Sequence, residues 1–217
     1  LATQREYDGF GRLTRERGPD LVGTRLALTV CNAGNSYCGQ VADIRVKITQ
    51  TARDTTDAVL RTDELFLDGL GRLRLAHEAT LESGAAMGET RYDVFGRVSQ
   101  RSQPRFAAGT TFWITYSYDL RGRPTQENAP LSQVQPTGRI TGYAYEGRDR
   151  KTTDPRGYTT TRSLDVLGQL RRVIDPSPGG TTHYAYAPFG ELASITDAAG
   201  NVTGWTYNVR GFVTSTI

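Results

Sequence analysis

Tyr92-Asp93-Val94-Phe95-Gly96-Arg97-Val98 is a short motif that the chain repeats along almost its whole length. Tyr7-Asp8-Gly9-Phe10-Gly11-Arg12-Leu13 is a second copy and Tyr118-Asp119-Leu120-Arg121-Gly122-Arg123 a third. Altered copies keep the frame: Leu67-Asp68-Gly69-Leu70-Gly71-Arg72-Leu73, then Leu164-Asp165-Val166-Leu167-Gly168-Gln169-Leu170. Two more follow, Tyr186-Ala187-Pro188-Phe189-Gly190-Glu191-Leu192 and Tyr207-Asn208-Val209-Arg210-Gly211-Phe212-Val213. Self-similarity at a regular spacing is the signature of a repeat architecture, built from one supersecondary unit used many times.

The motif predicts a turn. Asp at the first position and Gly at the fourth suit a type I turn. The carboxylate accepts from backbone two residues on, and Gly takes a positive φ without a steric penalty. A type I turn followed by such a glycine closes a short hairpin through a bulge. Aromatic residues before the turn sit two apart, at Tyr116 and Tyr118, Tyr143 and Tyr145, Tyr184 and Tyr186, Trp205 and Tyr207. That spacing puts both rings on one face of a strand. Nine of the eleven tyrosines hold these positions, so tyrosine reads as a structural ladder, with rings of neighbouring copies stacking across strands.

The turn glycines set the period. Gly71, Gly96 and Gly122 are 25 and 26 residues apart, and the later copies about 20. Tyr145-Glu146-Gly147-Arg148-Asp149-Arg150 lies in the next frame, with Asp149 expected in the left-handed position. Between main copies lie other breaker clusters, Asp154-Pro155-Arg156-Gly157, Asp175-Pro176-Ser177-Pro178-Gly179-Gly180 and Asp197-Ala198-Ala199-Gly200-Asn201. They are second turns at the far ends of the strands. Residues 78–89 contain helix formers, but Gly84 and Gly88 argue against a long helix there. The expected fold is all-β: an antiparallel meander forming a curved sheet over residues 1–217, as a single region.

A hairpin insertion is expected at about 21–60. Leu26, Leu28 and Val30 alternate, as do Ile44, Val46 and Ile48, around the polar loop Cys31-Asn32-Ala33-Gly34-Asn35-Ser36-Tyr37-Cys38. Cys31 and Cys38 stand at its two feet, within bridging reach. They are the only cysteines, so a disulfide is expected if the protein is exported; reduced thiols are the alternative. The two histidines, His77 and His183, are not at metal-ligand spacings from them, so no metal or cofactor is expected.

The formal charge is +3, and 24 of the 26 basic residues are arginine, interleaved with Asp and Glu. Nucleic-acid binding asks for clustering on one face and is not expected. No apolar run approaches the ~20 residues that span a bilayer as a helix. The chain begins at Leu1, close to a repeat, and ends at Ile217 in an apparent strand; it reads as an excerpt of a longer protein. Most aspartates belong to turns, neither histidine has an evident nucleophile, and no helix is available for a phosphate loop. No enzyme is expected.

Repeated Y-D-x-x-G-R-L with intervening D-x-x-G turns resembles the Rhs family, or YD-repeat proteins, over about residues 5–217. That family includes bacterial polymorphic toxins, shell-forming components of insecticidal toxin complexes and animal teneurins, and the cysteine-bearing hairpin is most similar to the toxin-complex branch. The resemblance implies a β-sheet wound into a hollow shell around a C-terminal effector, in a secreted bacterial toxin. The partners it implies are the enclosed effector polypeptide and the rest of the shell. Asp154-Pro155-Arg156-Gly157 resembles the family's cleavage-region motif, but it falls where an ordinary second turn belongs. Self-association through open sheet edges is also expected. Two other readings stand beside the wall: a repeat module that binds cell-surface glycans through its aromatic ladder, and part of a self-cleaving toxin whose catalytic region lies elsewhere.

Overall fold

A computed structural model describes residues 2–31, 38, 41, 43–80, 84–106, 108–130, 138–176 and 179–217. The regular elements among the described residues are β-strands throughout, nineteen of them. The polar tip at 32–37, residues 81–83 of the 78–89 stretch and the Ser177-Pro178 part of the Asp175 turn lie outside the described residues. The chain divides into two compact units, Leu1–Ile114 and Thr115–Ile217.

The first unit is an antiparallel meander of β1 (Gln4–Tyr7), β2 (Leu13–Arg17), β3 (Gly23–Val30), β4 (Ile44–Arg53), β5 (Val59–Asp68), β6 (Leu73–Ala79), β7 (Ala85–Tyr92), β8 (Val98–Ser102) and β9 (Arg105–Phe106). Each strand through β8 pairs with the next. The insertion hairpin is the longest regular pairing: β3 and β4 run from Gly23↔Arg53 to Val30↔Val46 without a slip. β7 is shared at its far edge, meeting β8 from Thr90 to Tyr92 and β9 at Ala86 and Met87. Pro104, which has no N–H, lies in the gap. Across the break the buried Ser102 hydroxyl accepts the Glu89 N–H at 2.8 Å, replacing a carbonyl in the ladder.

From β10 (Trp113–Tyr118), whose first two residues belong to the first unit, the second unit repeats one hairpin after another: β11 (Pro124–Ala129), β12 (Arg139–Glu146), β13 (Asp149–Thr153), β14 (Thr159–Leu164), β15 (Leu170–Ile174), β16 (Thr181–Tyr186), β17 (Leu192–Thr196), β18 (Val202–Tyr207) and β19 (Val213–Thr216). Each pairs antiparallel with its successor. A one-residue register shift recurs where a motif turn begins, at Ser117/Tyr118, Ser163/Leu164, Ala185/Tyr186 and Thr206/Tyr207. This is the bulge that a type I turn plus glycine requires.

Two sequence expectations are corrected. Asp149 is the first residue of β13, directly opposite Glu146, and the loop is only Gly147-Arg148. Gly147 has φ +59°; a positive φ at the first of two loop residues is the type II′ pattern, which leaves Asp149 in the strand. The tyrosines of β12 and β16 do not face rings across their following strands. Tyr143, Tyr145, Tyr184 and Tyr186 stand opposite Thr152, Arg150, Ile195 and Leu192. Each repeat contributes two strands and only the first carries rings, so successive ring rows are about 10 Å apart.

The buried core is in the first unit. Ile44, Phe66, Leu75 and Met87 form it, with Cys31, Cys38 and Val41 packed against them. Phe66 and Leu75 are cross-strand partners on β5 and β6, and Met87 faces His77 from β7. A single sheet exposes both faces. Here the foot of the insertion hairpin covers one of them, joined by a disulfide between Cys31 and Cys38 whose Cα atoms are 5.5 Å apart.

Candidate functional site

The recurrent structure is the turn itself. In the first copy Asp8 Oδ1 accepts the N–H groups of Phe10 and Arg12 at 2.9 and 3.0 Å, while Oδ2 accepts Arg12 Nε at 2.7 Å. The backbone closes the same loop, Gly11 N–H to Asp8 O and Asp8 N–H to Arg12 O. Asp68, Asp93 and Asp119 make the same bonds with Arg72, Arg97 and Arg123. Gly11, Gly71, Gly96 and Gly122 have φ between +76° and +80°. The motif arginine is therefore structural, because its guanidinium clamps the carboxylate that caps the turn.

That guanidinium also reaches beyond its own turn. Arg72 lies 4.4 Å from the centre of the Tyr92 ring and Arg123 4.2 Å from that of Tyr145, each in a later strand pair. The tyrosine hydroxyls close the joint from the other side. Tyr92 donates to Leu73 O, Tyr186 to Leu170 O and Tyr207 to Leu192 O, at 3.0, 3.0 and 2.8 Å. In each case the acceptor is the aliphatic residue ending the motif of the preceding copy. Ring and turn thus lock consecutive repeats together.

The altered copies lose these bonds in steps. Asp165 keeps the backbone caps to Leu167 and Gln169, and Gly168 has φ +82°. Asn208 caps Arg210 and Phe212 through Oδ1, with Gly211 at φ +78°. Ala187 has no side-chain cap; its backbone bonds to Glu191 and Gly190 close the turn, and Gln169 Nε2 donates to Gly190 O at 3.3 Å, with Gly190 at φ +97°. Ala187→Asn is expected to add the missing cap and raise stability by about 0.5–1 kcal/mol, measured as a higher urea midpoint. Asn avoids the repulsion an Asp would meet from Glu191.

Two turns escape the motif. At Asp54–Asp57 the left-handed position is held by Asp57, φ +70°, and at Gly18–Leu21 by Leu21, φ +68°. Asp54 caps Thr56 and Ala58 as the motif aspartates do. Arg15 and Arg25 both donate to the Asp57 carboxylate, and Arg53 Nη1 donates to its carbonyl at 2.6 Å. The signal in the sequence is the D-x-x-D spacing; Arg53 ends the strand leading into the turn, while Arg15 and Arg25 come from β2 and β3.

The caps depend on ionised carboxylates. Asp8, Asp119 and Asp154 lie below the ordinary carboxylate value, first through the backbone N–H of the residue four on. At Asp54 the Thr56 hydroxyl leads and at Asp197 the Asn201 side chain. At Asp68 and Asp93 burial is the largest influence and pushes up, but the hydrogen bonds from Arg72 and Arg97, those from the Leu70 and Phe95 N–H groups and the arginine charges together outweigh it. His77, lowered by burial, is held neutral. A native pKa below the unfolded one gives stability that is complete above the unfolded value and lost as pH falls through the native one. Urea midpoints are therefore expected to decline gently below about pH 6.5, from His77, and steeply below about pH 4, from the aspartates. Asn at positions 8, 93 and 119 together should flatten the steep limb, and a midpoint that rose on acidification would contradict this account.

The catalytic readings find little geometry. His77 is buried on β6, edge-on to Phe66 at 5.3 Å, with Glu64 3.7 Å away. Ser163 lines a concavity of about 400 Å³ with Asp149, Arg172 and His183. Its hydroxyl accepts from the Arg172 guanidinium at 3.2 Å. Ser163 and His183 are each opposite Arg172, on strands either side of it, so their backbones lie two strand spacings, about 10 Å, apart with Arg172 between them. Asp154 caps Arg156 and Tyr158 in an ordinary turn. Among the described residues no group of three His, Cys, Asp or Glu side chains is placed to hold a metal, and no helix is long and apolar enough to cross a membrane.

Comparison with known proteins agrees with the repeat. The RHS Repeat family model matches residues 186–217. No curated protein matches the sequence significantly. A crystal structure of TcdB2-TccC3 has the same fold over 99% of this chain and 16% of its own, at 17% identity and a TM-score of 0.64. TcdB2-TccC3 without its hypervariable C-terminal region matches at 14% identity, 99% and 15% coverage and a TM-score of 0.59. The Tc holotoxin pore of Photorhabdus luminescens matches at 14% identity, 99% and 14% coverage and a TM-score of 0.53. The chain spans about one-sixth or less of the length of these structures.

Proposed function

We propose that the chain, whose residues 186–217 match the RHS Repeat family model, is a wall segment of a hollow β-shell that encloses an effector polypeptide in a secreted, toxin-complex-type protein. The fold match to TcdB2-TccC3 along 99% of the chain carries this reading. The turns support it. Their polar groups are spent on one another and on the next repeat, as suits a scaffold that propagates. The Cys31–Cys38 disulfide fits an exported protein. In such a wall the partners are the remaining repeats and the enclosed chain, and the wall itself performs no reaction.

Limited proteolysis of the full-length gene product tests it. The expected result is a protease-resistant repeat region together with a second, enclosed segment that becomes digestible only after the wall is unfolded by acid or urea. If every segment outside the repeats is cut at once under native conditions, enclosure is wrong.

A further inference from the structure

The turn that departs from the motif at Gly147-Arg148 leaves a notch between its neighbours. The Leu164 N–H donates to Arg148 O at 3.1 Å, so this two-residue loop ends level with the start of the Asp165 turn, which runs on past it to Gly168. The concavity of about 400 Å³ already described opens beside the loop, and Arg148, Asp149, Ser163, Arg171, Arg172 and His183 line it. Strand pairing sets four of these in one row: Asp149, Ser163, Arg172 and His183 stand opposite one another in turn on β13 to β16. Arg171 joins them through a bulge. Ser163 pairs with Arg172 and Leu164 with Leu170, so Arg171 is the extra residue, and a bulge re-aims a side chain that strict alternation would turn to the other face.

The positive charge of the notch is not neutralised from within. Unlike the motif arginines, Arg148 and Arg171 make no side-chain hydrogen bond or ion pair among the described residues. Arg172 donates to the Ser163 hydroxyl at 3.2 Å. Ser163 is 7% exposed, and because its oxygen is the acceptor in that bond its own proton is left to face the concavity. Of the two carboxylates there, Glu146 is paired with Lys151 at 2.6 Å. Three guanidiniums therefore stand against Asp149 alone.

We propose that this notch binds hydrogen phosphate. Guanidinium forks suit a compact oxyanion, and the Ser163 hydroxyl adds a donor. Asp149 then selects among oxyanions. An ionised carboxylate only accepts hydrogen bonds, so it is satisfied by an oxyanion that still carries a proton and repels one that does not. At neutral pH inorganic phosphate keeps a proton and sulfate has none. The arginines are largely exposed, so binding is modest, with dissociation near ~1 mM. The site belongs to the second unit and does not depend on the enclosure of an effector.

Calorimetric titration of the 217-residue chain with inorganic phosphate, at neutral pH and fixed ionic strength, tests it. Saturable binding is expected, with sulfate weaker by about tenfold or more. Arg148→Ala and Arg171→Ala remove side chains that hold nothing else, so each should weaken phosphate binding by about fivefold or more with an unchanged thermal melt. Arg210→Ala, at the tip of the Asn208 turn, should leave binding as it was. Asp149→Asn should narrow the gap between phosphate and sulfate. No saturable binding, sulfate bound as tightly as phosphate by the wild type, or phosphate affinity unchanged in both Arg148→Ala and Arg171→Ala would each overturn the proposal.

Discussion

Phe66→Ala is expected to lower the unfolding free energy of the first unit by about 3–5 kcal/mol. Phe66 is fully buried and central to the one cluster of buried apolar side chains among the described residues. Truncation loses the transfer free energy of the ring and leaves a cavity that neighbours fill only in part. Leu75 and Met87 are held by strand pairing, and the covering residues are tied by a disulfide, so collapse is limited. Leu67→Ala, one residue on and on the opposite half-exposed face, should cost much less. Urea unfolding of both variants checks this. A loss below about 1 kcal/mol for Phe66→Ala would mean that the ladder, and not this core, stabilises the unit.

Removing the disulfide should have the second largest effect. Cys31 and Cys38 are seven residues apart, and closing so short a loop restricts the unfolded chain by roughly 2.5 kcal/mol in the loop-entropy account. The native state has its own stake, since both cysteines and Val41 pack on the core. Dithiothreitol should therefore lower the urea midpoint by an amount equivalent to about 2–3 kcal/mol. A double-mutant cycle separates the two contributions. If the hairpin foot covers Phe66, Phe66→Ala will cost less in Cys31→Ala/Cys38→Ala protein than in the wild type, with coupling of about 1 kcal/mol or more. Strict additivity would show that the disulfide acts on the unfolded chain alone.

Local chemistry was legible where each signal lay within a few residues. Asp at the first turn position and Gly at the fourth announced the hairpins, because both the cap and the positive φ are settled inside the turn. Asp149 was misjudged for an equally local reason: Gly147, two residues earlier, already supplied the positive φ and shortened the loop. Leu21 escapes the sequence because its backbone conformation runs against residue preference, and Asp57 because it holds the place that the motif gives to glycine. In the case of Asp57 the conformation is secured by Arg53, which ends β4 just before the turn, and by Arg15 and Arg25 on β2 and β3.

What the sequence by itself determined is the meander: where the chain turns, that it is strand throughout, and which residues alternate. Those features follow from short-range sterics and hydrogen bonding repeated in register. Only the tertiary structure decided which face of β4–β7 became a core, that the insertion folds its cysteine-bearing foot over Phe66, and that tyrosines of the motif reach back to a carbonyl of the preceding repeat. An alternating strand has two faces of similar pattern, and which one is buried depends on what the rest of the chain lays against it.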